Sequence, residues 1–214
     1  MNPQVLAAAG AAQSELLVVT PYLIPTRDEM QVLGDLRRRQ VRVAILTNSL
    51  EGSPGAFAQS GYLRHRKALL LAGIELYEAR SLLGNSRGSG QTARISRHGN
   101  YALHAKLHVV DRRQLFVGSM NFDTRSKRLN TEVGLIIDSP ELAAQTAARF
   151  AAMVLPQNAY ALSLQPLQAG GKPQLHWYTE EQGHGVDTFR EPAQGPWQRL
   201  AVQALSLVPI EGQQ

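Results

Sequence analysis

Over the first 80 residues, short apolar β-branched runs alternate with amphipathic stretches, and this alternation restricts the chain to a layered α/β arrangement. The runs at 16–20 (LLVVT), 41–46 (VRVAIL) and 74–77 (IELY) are too short for helices and read as buried strands. Between them, 28–39 gathers Met30, Val32, Leu33 and Leu36 on one side and ends in three Arg, where cations suit the helix dipole. A second helix is expected over 62–71, closed by Gly73, after a Ser, Gly and Pro-rich loop at 47–60. Asn2 and Pro3 read as the cap and first residue of a helix reaching Gln13.

The rest of the chain is less regular. Residues 80–100, rich in Gly, Ser, Arg and Asn, read as a loop. Strands are expected over 102–110 and 115–117, joined by a polar turn at 111–113, and again over 132–137. Ser139 and Pro140 open a helix running to about 154. The tail from Tyr160 carries scattered apolar residues among Gly and Pro. The expected division is one domain over 1–156 and a small irregular C-terminal extension, 157–214, packed on it.

Composition narrows the chemistry. The 214 residues include no cysteine, which excludes disulfides, thiol nucleophiles and thiolate metal sites. No apolar run reaches the roughly 18 residues of a membrane span, and no signal-peptide pattern opens the chain, so any membrane contact is expected at a surface. The net charge is +5, with 18 Arg against 4 Lys. That balance suits phosphate groups, nucleic acid or acidic lipid heads, and equally an ordinary solvated surface.

The segment from Leu103 to Asn121 reads LHAKLHVVDRRQLFVGSMN. On a strand, His104 and Lys106 leave the same face. Asp111 follows at the strand end, Gly118, Ser119 and Asn121 close the next strand, and Glu132 begins the one after. An imidazole, an ammonium, a hydroxyl and an amide at neighbouring strand ends suit a phosphate: the imidazole attacks phosphorus while Lys106 and Asn121 neutralise its oxygens. Asp111 has a second reading as the turn residue that orients the strand pair, and Glu132 as either a strand-edge charge or the carboxylate that fixes an imidazole tautomer. His104 and His108 do not make a metal site. On a strand they stand about 13 Å apart with Lys106 between them.

At these residues the chain resembles the phospholipase D superfamily, whose HKD motif is His-x-Lys-x4-Asp followed by Gly-Ser-x-Asn. His104, Lys106, Asp111, Gly118, Ser119 and Asn121 match it position for position, and Glu132 stands where the family carries a later Glu. A chance match of six fixed residues, at about one in twenty each, is on the order of one in a hundred million per start position. The likeness extends to bacterial cardiolipin synthases of the C type, specifically their second half. It runs through Thr20-Pro-Tyr-Leu-Ile-Pro25, Leu46-Thr-Asn-Ser-Leu50, Gly61-Tyr62, Gly73-Ile-Glu-Leu-Tyr-Glu78, Leu129-Asn-Thr-Glu132, Asp138-Ser-Pro140, Trp177, Glu191-Pro192 and Leu207-Val-Pro-Ile-Glu211.

The resemblance implies an α/β/α sandwich half-domain with a mixed sheet, and phosphatidyl transfer or phosphodiester cleavage through a covalent phosphohistidine on His104. It implies neither metal nor cofactor. The implied catalytic set is His104, Lys106, Asp111 and Glu132, with Lys106, Ser119 and Asn121 on the substrate phosphate. The implied substrates are phospholipids such as phosphatidylglycerol, met by a cytoplasmic protein at the periphery of the inner membrane. The family builds one site from two HKD motifs and this chain carries one, so either a second copy or an N-terminal HKD half completes it. Two rival readings are a homodimeric endonuclease of the same superfamily, which makes nucleic acid the disfavoured partner, and a non-catalytic fragment that binds phosphate ligands.

Overall fold

The computed structural model describes residues 3–53, 56–81, 102–123, 131–168 and 170–206. The expected loop at 80–100 and the Asn2 cap therefore lie largely or wholly outside the described residues. Helix α1 (Pro3–Gly10) precedes β1 (Glu15–Val19), α2 (Arg27–Arg38), β2 (Arg42–Asn48), α3 (Ala56–Leu71) and β3 (Glu75–Ala79). The motif segment forms β4 (Leu107–Val110) and β5 (Gln114–Gly118), followed by β6 (Gly134–Asp138) and α4 (Pro140–Met153). The tail contributes β7 (Ala159–Pro166), β8 (Pro173–Glu181), β9 (His184–Thr188) and α5 (Pro196–Ser206).

The nine strands of the described residues join one sheet in the order β6-β5-β4-β1-β2-β3-β7-β8-β9. Pairing is parallel among β1, β2 and β3 and antiparallel elsewhere. Alternation along the central strands divides the core. Leu16, Val18, Val43 and Ile45 pack with Val5, Leu33, Leu36, Tyr62 and Leu69 of α1, α2 and α3. Leu17, Val19, Ala44 and Leu46 face the other way, onto Ala143, Ala147 and Phe150 of α4. Period-two strands meeting period-3.6 helices on both faces give the expected α/β/α sandwich.

Local chemistry sets the element ends. Thr26 caps α2 through a capping box: its hydroxyl accepts from Glu29 N–H while its own N–H donates to the Glu29 carboxylate. Ser139 caps α4 as read, with Pro140 following. Strand β4 is shorter than expected, and residues 102–106 are not regular strand. Its partner β1 stops at Val19, opposite Leu107, and the chain then turns through Pro21, which has no N–H to donate.

The tail is more regular than its composition suggests, since β7, β8 and β9 continue the sheet from β3. Gln182 and Gly183, both at positive φ, make the two-residue turn between β8 and β9. Cross-strand bonds tie the three strands: His176 Nδ1 lies 3.1 Å from Ser163 Oγ, and Nε2 lies 2.8 Å from Asp187 Oδ1.

A buried ionic cluster fastens the tail to the sandwich. Arg66 on α3 contacts Glu78 on β3 at 3.1 Å and Glu191 at 2.8 Å. Tyr62 O–H and Trp177 Nε1–H both donate to the Glu78 carboxylate, and the Arg66 guanidinium lies over both rings. Burial pushes the Glu78 carboxyl up, against the pull of Arg66. Burial also opposes the Arg66 charge, but the two carboxylates hold its pKa above the usual value. Tyr62, Glu78, Trp177 and Glu191 are among the residues that carried the likeness beyond the HKD motif, and here they meet in one place.

Candidate active site

The C-terminal end of β1, the N-terminal end of β4, the C-terminal end of β5 and the N-terminal end of β6 lie side by side. Register sets this, with Val19 opposite Leu107, Leu107 opposite Val117, and Gly118 opposite Gly134. In open α/β sheets the carboxyl ends of the parallel strands are the usual ligand-binding edge.

At that edge the exposed His104 stands over the buried Lys106. Lys106 Nζ lies 3.3 Å from His104 Nδ1, 3.2 Å from Nε2 and 2.9 Å from the His104 carbonyl, to which it donates. Gly118 N–H donates to the Lys106 carbonyl, carrying the β4–β5 ladder one step past the regular strand. Burial pushes the Lys106 ammonium below its ordinary pKa, while Glu132 and Asp123 hold its charge. A buried cation in this state gains from an anion arriving beside it.

Ser119 and Glu132 close the other side. Ser119 Oγ donates to the Glu132 carboxylate, Ser119 N–H donates to the Val133 carbonyl, and Val133 N–H donates back to Ser119 Oγ. The strands approach closely here because Gly118 faces Gly134. A Cβ on Gly118 would meet the Val133 carbonyl at 2.6 Å and Gly134 Cα at 2.8 Å, and one on Gly134 would strike the Phe116 ring. Asn121 is half-buried between this ladder and Phe122, which bridges Leu23.

Asp111 is not at this edge. It lies at the opposite end of β4, about 16 Å along the strand from Lys106. Its carboxylate accepts the N–H groups of Gln13, Ser14 and Glu15 and the Ser14 hydroxyl. Burial works against the charge, but these donors hold the Asp111 carboxyl below its usual range. In the structure Asp111 fastens the β4–β5 turn to the start of β1. His108 faces the α1–α3 side between Phe116 and Phe122, where burial lowers its pKa to about 4.

Three residues enter that sequence reasoning did not assign to the site. Asn48, at the end of β2, donates from Nδ2 to the Leu103 carbonyl at 3.0 Å and to the Pro21 carbonyl at 3.2 Å, and its Oδ1 accepts Leu103 N–H at 2.7 Å. This buried amide stands in for strand pairing immediately before His104. Thr20 Oγ1 accepts Phe122 N–H, and buried Asp123 attracts the Lys106 charge. The LTNSL run offered a cue to Asn48, but only as part of a likeness.

The sequence matches the family described as "Cardiolipin synthase, PLD-like domain" over residues 5–154. It is 34% identical to cardiolipin synthase C of Escherichia coli over 202 residues, covering 94% of this chain and 41% of that protein. The chain thus spans less than half the length of that relative. In fold it is similar to phosphatidylserine synthase of Haemophilus influenzae, with a TM-score of 0.53, 18% identity, and coverage of 74% of this chain and 36% of that one. It is likewise similar to NucT of Helicobacter pylori, with a TM-score of 0.52, 17% identity, and coverage of 70% and 84%. The match over 5–154 takes in both faces of the sandwich and the whole of the edge just described. On that extent of agreement, the chain belongs to the PLD-like domain family of the cardiolipin synthases.

Proposed function

We propose that this chain carries one half of a phosphatidyltransferase site, of the cardiolipin synthase kind, that works through a covalent phosphohistidine on His104. The observation that carries the reading is the buried Lys106 ammonium within 3.3 Å of both ring nitrogens of an exposed histidine. In the first step the lone pair of one His104 nitrogen forms an N–P bond. The bond from phosphorus to the leaving alkoxide breaks, and a second imidazolium gives that oxygen its proton. In the second step the hydroxyl of a phosphatidylglycerol-type acceptor attacks phosphorus, the N–P bond breaks, and the second imidazole takes the proton. Lys106 and Asn121 hold the non-bridging oxygens, with Ser119 beside them. Glu132 orients the Ser119 hydroxyl and sustains the Lys106 charge.

The second imidazole comes from another HKD half, either a second copy of this chain or a half supplied by a longer protein. Among the described residues β6 pairs only with β5, and this open edge supports the pairing. Val133 and Leu135 there are 74% and 62% exposed, within three residues of Glu132, an apolar edge of the kind that partner strands or chains cover.

His104→Ala is expected to abolish turnover of phosphatidylglycerol by the paired enzyme and leave the circular dichroism spectrum unchanged. Acid-labile, base-stable label from a phosphate-labelled lipid should map to His104 in the wild type. Wild-type turnover in the variant, or label on another residue, rejects the assignment. Cleavage of plasmid DNA without lipid turnover would favour the endonuclease reading instead.

A further inference from the structure

Helix α5 carries its apolar stripe on the outside. Trp197, Leu200, Ala201 and Ala204 follow i, i+3, i+4, i+7 spacing, and all are exposed, Trp197 to 79% and Leu200 to 57%. The opposite face is the one fastened to the body. Val202 is buried there, Gln198 Nε2 donates to the Leu50 carbonyl at 2.8 Å, and Arg199 Nε donates to the Glu191 carbonyl at 2.6 Å. The helix is therefore held with its apolar side presented to whatever lies outside.

We propose that this face rests on an anionic phospholipid surface and presents the His104 edge to it. The inference builds on the proposed lipid chemistry by naming where the chain meets the lipid. Three observations converge on that occupant. First, Trp is the side chain suited to a water–lipid boundary, with an apolar ring and one N–H, and a helix with this exposed stripe matches an interfacial helix lying in the membrane plane.

Second, the surroundings are basic. Arg64 Nε donates to the Ser206 carbonyl at the end of α5, and Lys67, one turn along the same face of α3, is exposed. Each cation near an anionic surface strengthens attachment. Third, α5 sits at the site end of the sheet. Gln194 and Gln198 donate to the carbonyls of Glu51 and Leu50, in the loop that follows Asn48, and Asn48 holds Leu103 beside His104. A second copy of the chain is a poorer fit, because two large and two small side chains fall well short of the roughly 800 Å² per partner that a stable interface buries.

The chain contains its own reporter, since its two tryptophans differ sharply: Trp177 is 2% exposed and Trp197 is 79% exposed. Vesicles of phosphatidylcholine with phosphatidylglycerol should shift the tryptophan emission to the blue, shield it from acrylamide and co-sediment the chain. Trp197→Phe should still co-sediment but lose the shift. The double variant Trp197→Ser with Leu200→Ser, whose changes lie at the surface, should partition about tenfold or more weakly. Lys67→Glu should weaken binding to the anionic vesicles.

Wild-type sedimentation by the double variant, or an unshifted Trp197 on bound vesicles, overturns the proposal. So does equal binding to phosphatidylcholine alone. A lipid-free dimer that the double variant dissociates would show a protein partner, and also overturns it. His104→Ala should bind vesicles like the wild type, so wild-type turnover by that variant with intact binding rejects only the catalytic reading.

Discussion

Asp111 and His104 belong to one motif, yet they stand beyond opposite ends of a four-residue strand. Asp111 and Arg112 lie at positive φ, which Asp and Asn tolerate better than other side chains. Asp111→Asn therefore preserves the turn and removes the charge that three N–H groups share, and should cost about 2 kcal/mol at neutral pH. The folded-state pKa of Asp111 lies below its unfolded value. Its stabilisation is thus complete above about pH 3.9 and drains away as pH falls through the folded value. The gap in urea midpoint between wild type and variant should close in acid, and a constant gap would refute the charge account. The motif residues were legible because they stand within 18 positions of one another in the chain. Asn48 and Thr20 were not, because their bonds reach across 55 and 102 positions and their residue types are commonplace.

The elements of the first third were legible because strand and helix periods alternate there, except that the second helix begins at Ala56, inside the stretch read as a loop over 47–60. The segment 102–106 failed as a strand for a reason its own residues do not contain: β1 ends at Val19, and beyond it no strand of the described residues pairs with this segment on that side. The tail failed the other way. Its Gly and Pro residues sit in turns and at strand ends, Pro166 opposite Pro173 and Gly183 in a hairpin, and so punctuate strands without breaking them. The Arg66 cluster joins the β3–β7 ladder in fixing these strands to the sandwich. Arg66→Ala would leave Glu78 and Glu191 buried without their cation and should destabilise the fold by about 3–5 kcal/mol. Urea unfolding followed by Trp177 fluorescence measures this in a Trp197→Phe background. A loss under about 1 kcal/mol would show that the cluster is not what holds the tail.

At the scale of the whole molecule, the sheet of the described residues is open at both ends, and the candidate site lies towards its β6 end. If two copies complete it, they meet in an isologous two-fold pair with both His104 side chains on one phosphate. Refolding wild type with an equal amount of His104→Ala should leave roughly a quarter of the pairs intact. Activity per total chain then falls towards about that quarter, not the half expected of independent sites. An active monomer by light scattering would defeat the pairing. An inactive monomer rescued by a separately expressed HKD half would assign the second histidine to a longer protein.

Gly118 and Gly134 give the site edge an uneven tolerance of change. Ser119 hangs from the end of β5 and Glu132 from the approach to β6, and their contact depends on two facing backbone positions that hold no side chain. A methyl group on Gly118 would meet the facing backbone and shift the strands at the edge, whereas one on Gly134 would meet the ring of Phe116, which belongs to the core facing α1, α2 and α3. A replacement at Gly118 would therefore undo the contact between Ser119 and Glu132 first, and leave a chain that still folds as a recognisable relative.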